Sequence, residues 1–127
     1  MILKSHSAGE TRRIGASLAR QLRANDVVLL LGDMGAGKSE LTRGIARGLG
    51  VTGYVTSPTF TILQVHEEGR LSLYHFDWYR LESAEELYEL AMDEYLQNGG
   101  VAVVEWPCRA PEAVPACRLE VEITPLG

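Results

Sequence analysis

A chain of 127 residues with 46% hydrophobic and 23% charged side chains has the make-up of one ordinary globular domain, 1–127, large enough to bury a real core. No apolar run nears the roughly 20 residues that span a bilayer, and MILKSHSAGE lacks the apolar stretch of a secretory leader, so the expectation is a soluble cytoplasmic protein with no membrane contact. The net charge of −5 is unevenly held, +4 over residues 1–66 and −9 over residues 67–127, which argues against a chain that grips a nucleic-acid backbone alone; the basic half is left to face phosphates and the acidic half a partner or solvent.

Ser7-Ala8-Gly9-Glu10 has the form of a capping box, and Ile14, Leu18 and Leu22 follow at helical spacing, which predicts a first helix with one apolar face. Val27 to Leu31 is a continuous apolar run, as expected of a strand buried on both faces. Lys38 to Arg47 reads as a second helix, with Leu41, Ile45 and Leu49 on one side and Gly48 and Gly50 ending it. Thr59 to Val65 and Arg70 to Phe76 read as strands around a Glu67-Glu68-Gly69 turn. A second capping box at Ser83 to Glu86, with Leu87, Leu90 and Tyr95, predicts another long helix that Asn98-Gly99-Gly100 stops. Val101 to Val104 is a further buried strand ending at Glu105-Trp106-Pro107, and Arg118 to Ile123 alternates as a final edge strand with Leu119, Val121 and Ile123 inward. Strands mixed with helices predict a layered α/β domain. Cys108 and Cys117 have no zinc-like spacing with histidine and are read as incidental reduced thiols.

The chemistry concentrates after the first strand. Gly32, Gly37, Lys38 and Ser39 satisfy G-x-x-x-x-G-K-[ST], with an apolar strand before and a helix after. Phosphate oxygens wrapped by main-chain N–H groups require a tight, close-approaching backbone, which glycine permits. The helix start adds free N–H donors and its positive dipole end. Lys38 is placed to reach β- and γ-phosphates, and the Ser39 hydroxyl to meet Mg²⁺. Such a site calls for a carboxylate at the end of a neighbouring strand, and both Asp77 and Glu105 end strands, one to serve metal and the other water. His75 reads as a polar strand residue more readily than as a base. Arg80 either counters phosphate charge or pairs with Glu82, and Trp106 either caps a base or packs. Thr56-Ser57-Pro58-Thr59-Phe60 holds the place of a γ-phosphate-sensing switch or of an ordinary proline turn. No N-K-x-D-like guanine-reading motif occurs.

Four segments together resemble one family: G-D-M-G-A-G-K-S at Gly32 to Ser39, S-P-T-F at Ser57 to Phe60, H-F-D-W-Y-R-L at His75 to Leu81 and V-V-E-W at Val103 to Trp106. They look like the bacterial TsaE (YjeE) family, the ATPases of tRNA threonylcarbamoyladenosine biosynthesis. The resemblance implies a P-loop NTPase-like, three-layer α/β/α fold with a mixed, mostly parallel sheet. It implies ATP and Mg²⁺ as cofactors and slow hydrolysis by the protein alone. The implied partners are a threonylcarbamoyl-transferase subunit and its inactive paralogue (TsaD and TsaB type), with tRNA met only through that complex. Carried over by motif, Met34, Gly35, Ala36, Gly37 and Lys38 hold phosphates, and Ser39 and Glu105 ligate Mg²⁺. Asp77, with Lys38, supports hydrolysis, Trp106 lies near the nucleotide, and Thr11 touches its adenosine end. Ser57, Pro58, Thr59 and Phe60 form the switch. The chain departs from the family at Ser39-Glu40, where Thr-Thr or Thr-Ser is more usual, at Pro107-Cys108-Arg109, and in ending at Gly127, shorter than many members.

Two other readings fit a phosphate loop. A small-molecule or nucleoside kinase needs an acceptor pocket and a lid, for which 127 residues leave little chain. A non-catalytic module would use ATP only to set the shape of Thr56 to Phe60.

Overall fold

The computed structural model describes residues 4–32, 37–51 and 63–123. The predicted strand segment Thr59 to Ile62, the proposed switch and the loop residues Met34 to Ala36 lie outside them.

Helix α1 (Ala8–Ala19) starts as its sequence dictates: the Glu10 N–H donates to the Ser7 hydroxyl at 3.1 Å, and the Glu10 carboxylate accepts from the His6 N–H at 2.7 Å. It stops before Leu22, which is nonetheless buried. The Arg70 guanidinium donates to the carbonyls of Ala19 and Leu22 at 2.7 and 3.1 Å, at and just past the helix end. Strand β1 (Val27–Leu31) leads into helix α2 (Lys38–Leu49), which ends at a left-handed Gly50.

Gly48 does not stop α2. It lies inside the helix and, with Gly44 one turn earlier, lets α1 come close. A methyl group on Gly48 would stand 2.6 Å from the Ala16 carbonyl oxygen, and one on Gly44 would collide with the Arg12 carbonyl. Arg12 thus lies against Gly44 and Ala16 against Gly48, so the two helices run the same way and start at the same end of the sheet. Gly44→Ala is expected to destabilise the protein by about 1–3 kcal/mol through overpacking, despite alanine's better helix propensity. Urea unfolding checks this, and a variant as stable as wild type refutes the close contact.

Strands β2 (Leu63–His66) and β3 (Leu73–Asp77) form the predicted antiparallel hairpin, but β3 begins later than expected. The Arg70 N–H donates to the Leu49 carbonyl at 2.7 Å, so the chain before β3 is tied to the end of α2 rather than to β2.

The long helix expected after Ser83 is two short ones, α3 (Glu85–Glu89) and α4 (Met92–Leu96), separated by Ala91 in the left-handed region. On one continuous helix, residues five apart such as Leu87 and Met92 would diverge by about 140°. Both are buried in the same core, and the break allows it. Ser83 does not cap α3; the Glu86 carboxylate instead accepts from the Glu82 N–H at 2.9 Å.

Strand β4 (Val101–Glu105) is followed by two 3₁₀ turns, Pro107–Arg109 and Pro111–Ala113, and by β5 (Leu119–Glu122). The sheet order is β2-β3-β4-β1-β5, with every pairing parallel except β2 with β3. β5 is the expected edge strand, and Val121 and Ile123 pack inward. Leu119, expected inward as well, is 42% exposed at the start of that edge.

Alternation along the central strands divides the core in two. Val28, Leu30, Leu73, Val101 and Val103 pack under α1 and α2. Val27, Leu29, Tyr74, Phe76, Ala102 and Val104 pack against Trp78, Leu87 and Met92 on the other side. The result is a three-layer α/β/α arrangement around a mixed, mostly parallel sheet. Among the described residues no helix is long and apolar enough to cross a membrane, and both cysteines are exposed free thiols.

Candidate functional site

The register of β3 and β4 sets Asp77 directly beside Glu105 at the carboxyl ends of the two strands, on the face that α1 and α2 cover. The Trp78 N–H donates to the Glu105 carbonyl at 3.0 Å and extends the ladder one residue further. Leu30 of β1 is level with Glu105, so the loop after β1 opens at the same end. Ligands of open parallel sheets bind at that end of the strands.

Gly37 precedes α2 with φ of 98°, a conformation that glycine adopts without strain. It turns the chain so that Lys38 opens the helix. Lys38 is only 5% exposed, and its ammonium donates to the Gly32 carbonyl at 2.8 Å. The lysine therefore folds back onto the loop that carries it. Its Nζ also lies 3.9 Å from the ring centroid of Trp106, whose main chain is left-handed with φ of 59°. A bulky residue in that region is uncommon, and such strain persists where the surroundings impose it. Here it places an aromatic face over a buried cation. The Tyr79 ring is 5.0 Å from Trp106, and the Arg109 guanidinium lies 5.3 Å over Tyr79.

Glu105 is 4% exposed, and its Oε2 lies 2.6 Å from Nε2 of His75, which is 1% exposed. Asp77 is half-buried, and its Oδ1 accepts from the Tyr79 N–H at 3.0 Å. Burial pushes the Asp77 carboxyl above the ordinary aspartate range. The Tyr79 N–H opposes this, the neighbouring Glu105 carboxylate adds to it, and His75 and Lys38 oppose it.

Ser39 is half-buried on the first turn of α2. Glu40 beside it does not stand as an isolated negative charge. Its carboxylate accepts from Arg12 of α1 at 2.5 Å and from Arg43 at 2.6 Å. The Arg12 hydrogen bond holds its carboxyl below the usual range; burial opposes this, and the two arginine charges reinforce it. An acid with a lowered folded pKa stabilises the fold above its unfolded pKa, and that stability is lost as pH falls through the folded value. Glu40→Gln is accordingly expected to cost about 1 kcal/mol or less at neutral pH, the range of such partly exposed pairs. The difference should vanish in acid, as urea unfolding at the two pH values will show; a gap that persists in acid contradicts the ion-pair account.

The structure thus brings Lys38, Trp106, Asp77 and Glu105 to one end of the sheet, with Gly37 and Ser39 beside Lys38. Thr11 stands near the start of α1 at that end, its hydroxyl bonded to the Ser5 hydroxyl at 2.7 Å and to the Ser7 carbonyl at 3.2 Å. Met34, Gly35, Ala36, Ser57, Pro58, Thr59 and Phe60 are outside the described residues. Arg80 is exposed on the turn after β3. His75 gives only a weak signal in the sequence, although its place two residues before Asp77 puts both on one face of the strand. Tyr79 and Arg109, which extend the ring contacts of Trp106, lie in segments noted above, but neither has a role that its sequence position alone suggests.

A parallel strand, a glycine-bounded loop and a helix whose first lysine bends back onto that loop make this domain P-loop NTPase-like. The chain belongs to the TsaE family: the model described as "Threonylcarbamoyl adenosine biosynthesis protein TsaE" matches residues 5–126. It is 44% identical over 118 residues to the tRNA threonylcarbamoyladenosine biosynthesis protein TsaE of Bacillus subtilis, covering 93% of this chain and 73% of that protein. The protein of the same name from Treponema pallidum is 40% identical over 123 residues, covering 97% and 90%. Among solved structures, YdiB of Bacillus subtilis aligns with a TM-score of 0.84 at 38% identity, covering 97% of this chain and 75% of that one.

Proposed function

We propose that this chain is a Mg²⁺-dependent ATPase, converting ATP to ADP and phosphate. Its hydrolysis serves formation of the threonylcarbamoyl group on adenosine 37 of tRNAs that read codons beginning with A. It works with a threonylcarbamoyl-transferase subunit and its inactive paralogue, of TsaD and TsaB type, and meets tRNA only through them. One observation carries the ATPase reading: a buried lysine at the start of α2 shares the strand ends with two adjacent carboxylates. The names of the relatives support the tRNA part.

The residues present fit the cofactors. Mg²⁺ takes hard oxygen donors and needs few of them from protein; Ser39 offers a hydroxyl and Glu105 a carboxylate. When bound, the metal supplies neutralisation of charge on the phosphate oxygens. Lys38 exchanges the Gly32 carbonyl for phosphate oxygens. The main-chain amides of Met34, Gly35, Ala36 and Gly37 complete the cradle. Asp77, with its raised proton affinity, orients or deprotonates the attacking water. Trp106 borders the nucleotide, Thr11 touches its adenosine end, and Ser57, Pro58, Thr59 and Phe60 respond to the γ-phosphate. Phosphoryl transfer so arranged is mostly positioning and charge stabilisation.

Reconstitution tests the role. With the transferase pair, a threonylcarbamoyl donor, tRNA and ATP present, the modified nucleoside should accumulate only when this chain is added. Equal accumulation without it refutes the proposal.

A further inference from the structure

His75 has no part in the reading above. The pleat sets it on the same face as Asp77, and it is almost fully buried. Its Nε2 is 2.6 Å from Oε2 of Glu105. An ionised carboxylate can only accept, so Nε2 carries the hydrogen. Nδ1 is buried with no hydrogen-bond partner among the described residues.

A glutamate side chain has several rotamers, and burial alone does not select one. A short charge-assisted hydrogen bond from a ring fixed between strands does. The geometry points to His75 as a positioning residue: its Nε2–H holds one oxygen of Glu105 and so presents the other to a divalent cation. This rests on the reading of Glu105 as a Mg²⁺ ligand. The histidine touches neither metal nor nucleotide; it acts through the carboxylate, as the hydrogen-bonding partners of metal ligands do.

Two measurements test it. In the nucleotide-free, metal-free protein, long-range ¹H–¹⁵N spectra of the imidazole rings should place the His75 proton on Nε2, with a signal that moves in Glu105→Gln. An Nε2 without a proton, or a signal indifferent to Glu105, overturns the proposal. In the second, binding of N-methylanthraniloyl-ADP is followed as Mg²⁺ is added. His75→Leu should raise the Mg²⁺ concentration for half effect by about 10-fold or more, with affinity in the absence of Mg²⁺ unchanged. His75→Gln, whose amide nitrogen can donate from near the Nε2 position, should recover most of the loss. A Mg²⁺ response unchanged in His75→Leu, while wild type responds, overturns the positioning role alone. No Mg²⁺ response in wild type overturns the Glu105 reading and the proposal with it. Should His75→Leu fail to fold, the spectra and His75→Gln decide.

Discussion

Asp77→Asn is expected to lower ATP turnover beside the transferase pair by about 10²–10⁴-fold, the range of a positioned general base. In metal-free buffer at neutral pH it should also unfold at a higher temperature than wild type. Both effects come from one placement. Asp77 is half-buried and level with Glu105, so burial and then a like charge raise its proton affinity. The folded protein therefore holds this proton more tightly than the unfolded chain. Stability from the group is full below the unfolded aspartate pKa and is lost as pH rises through the folded value. Asparagine suffers no such loss, and its side-chain oxygen can still accept the Tyr79 N–H. The stability gap should open with rising pH and close in acid. Phosphate release and thermal unfolding from acid to neutral pH measure the two effects. A variant that turns over normally, or is less stable than wild type at neutral pH, contradicts the assignment. Gain of stability with loss of turnover is the trade expected where an active site is built against the fold's own preference.

Lys38→Met is expected to reduce turnover by about 10²–10³-fold, the loss seen when a donor to developing negative charge is removed. It should weaken ATP binding as well. Methionine keeps much of the lysine stem's volume, so packing near Trp106 is retained while the charge goes. The ammonium now rests on the Gly32 carbonyl and the Trp106 face, both of which it must leave to reach a phosphate. Without it the loop amides remain but the cation among them does not. Unchanged ATP affinity in a folded Lys38→Met protein would move the phosphate site elsewhere.

Much of this is legible in the amino-acid sequence. β1 and β4 are buried on both faces, so their sequences are near-continuous apolar runs. Ser7 and Glu10 announce α1 because capping is local chemistry. The break at Ala91 was not legible, since alanine is the best helix former and the left-handed turn exists to bury Leu87 and Met92 together. Gly48 misled for a related reason: glycine ends helices and also admits close neighbours, and only the approach of α1 decides which. The late start of β3 reflects Arg70 bonding to residues distant in sequence. The pairing of His75 with Glu105 depends on β3 lying next to β4, which no local pattern states. Lys38 with its glycines and the two carboxylates are each visible in the sequence; the meeting of Lys38, Asp77 and Glu105 at one end of the sheet is a property of topology.

Competition calorimetry tests the central claim most directly. ATP is titrated into the wild-type protein with Mg²⁺, then again in the presence of tripolyphosphate or of adenosine. Binding through a phosphate cradle at Lys38 predicts one site per chain, strong competition by tripolyphosphate and little by adenosine. Displacement by adenosine with indifference to tripolyphosphate, or no ATP binding at all, would contradict it.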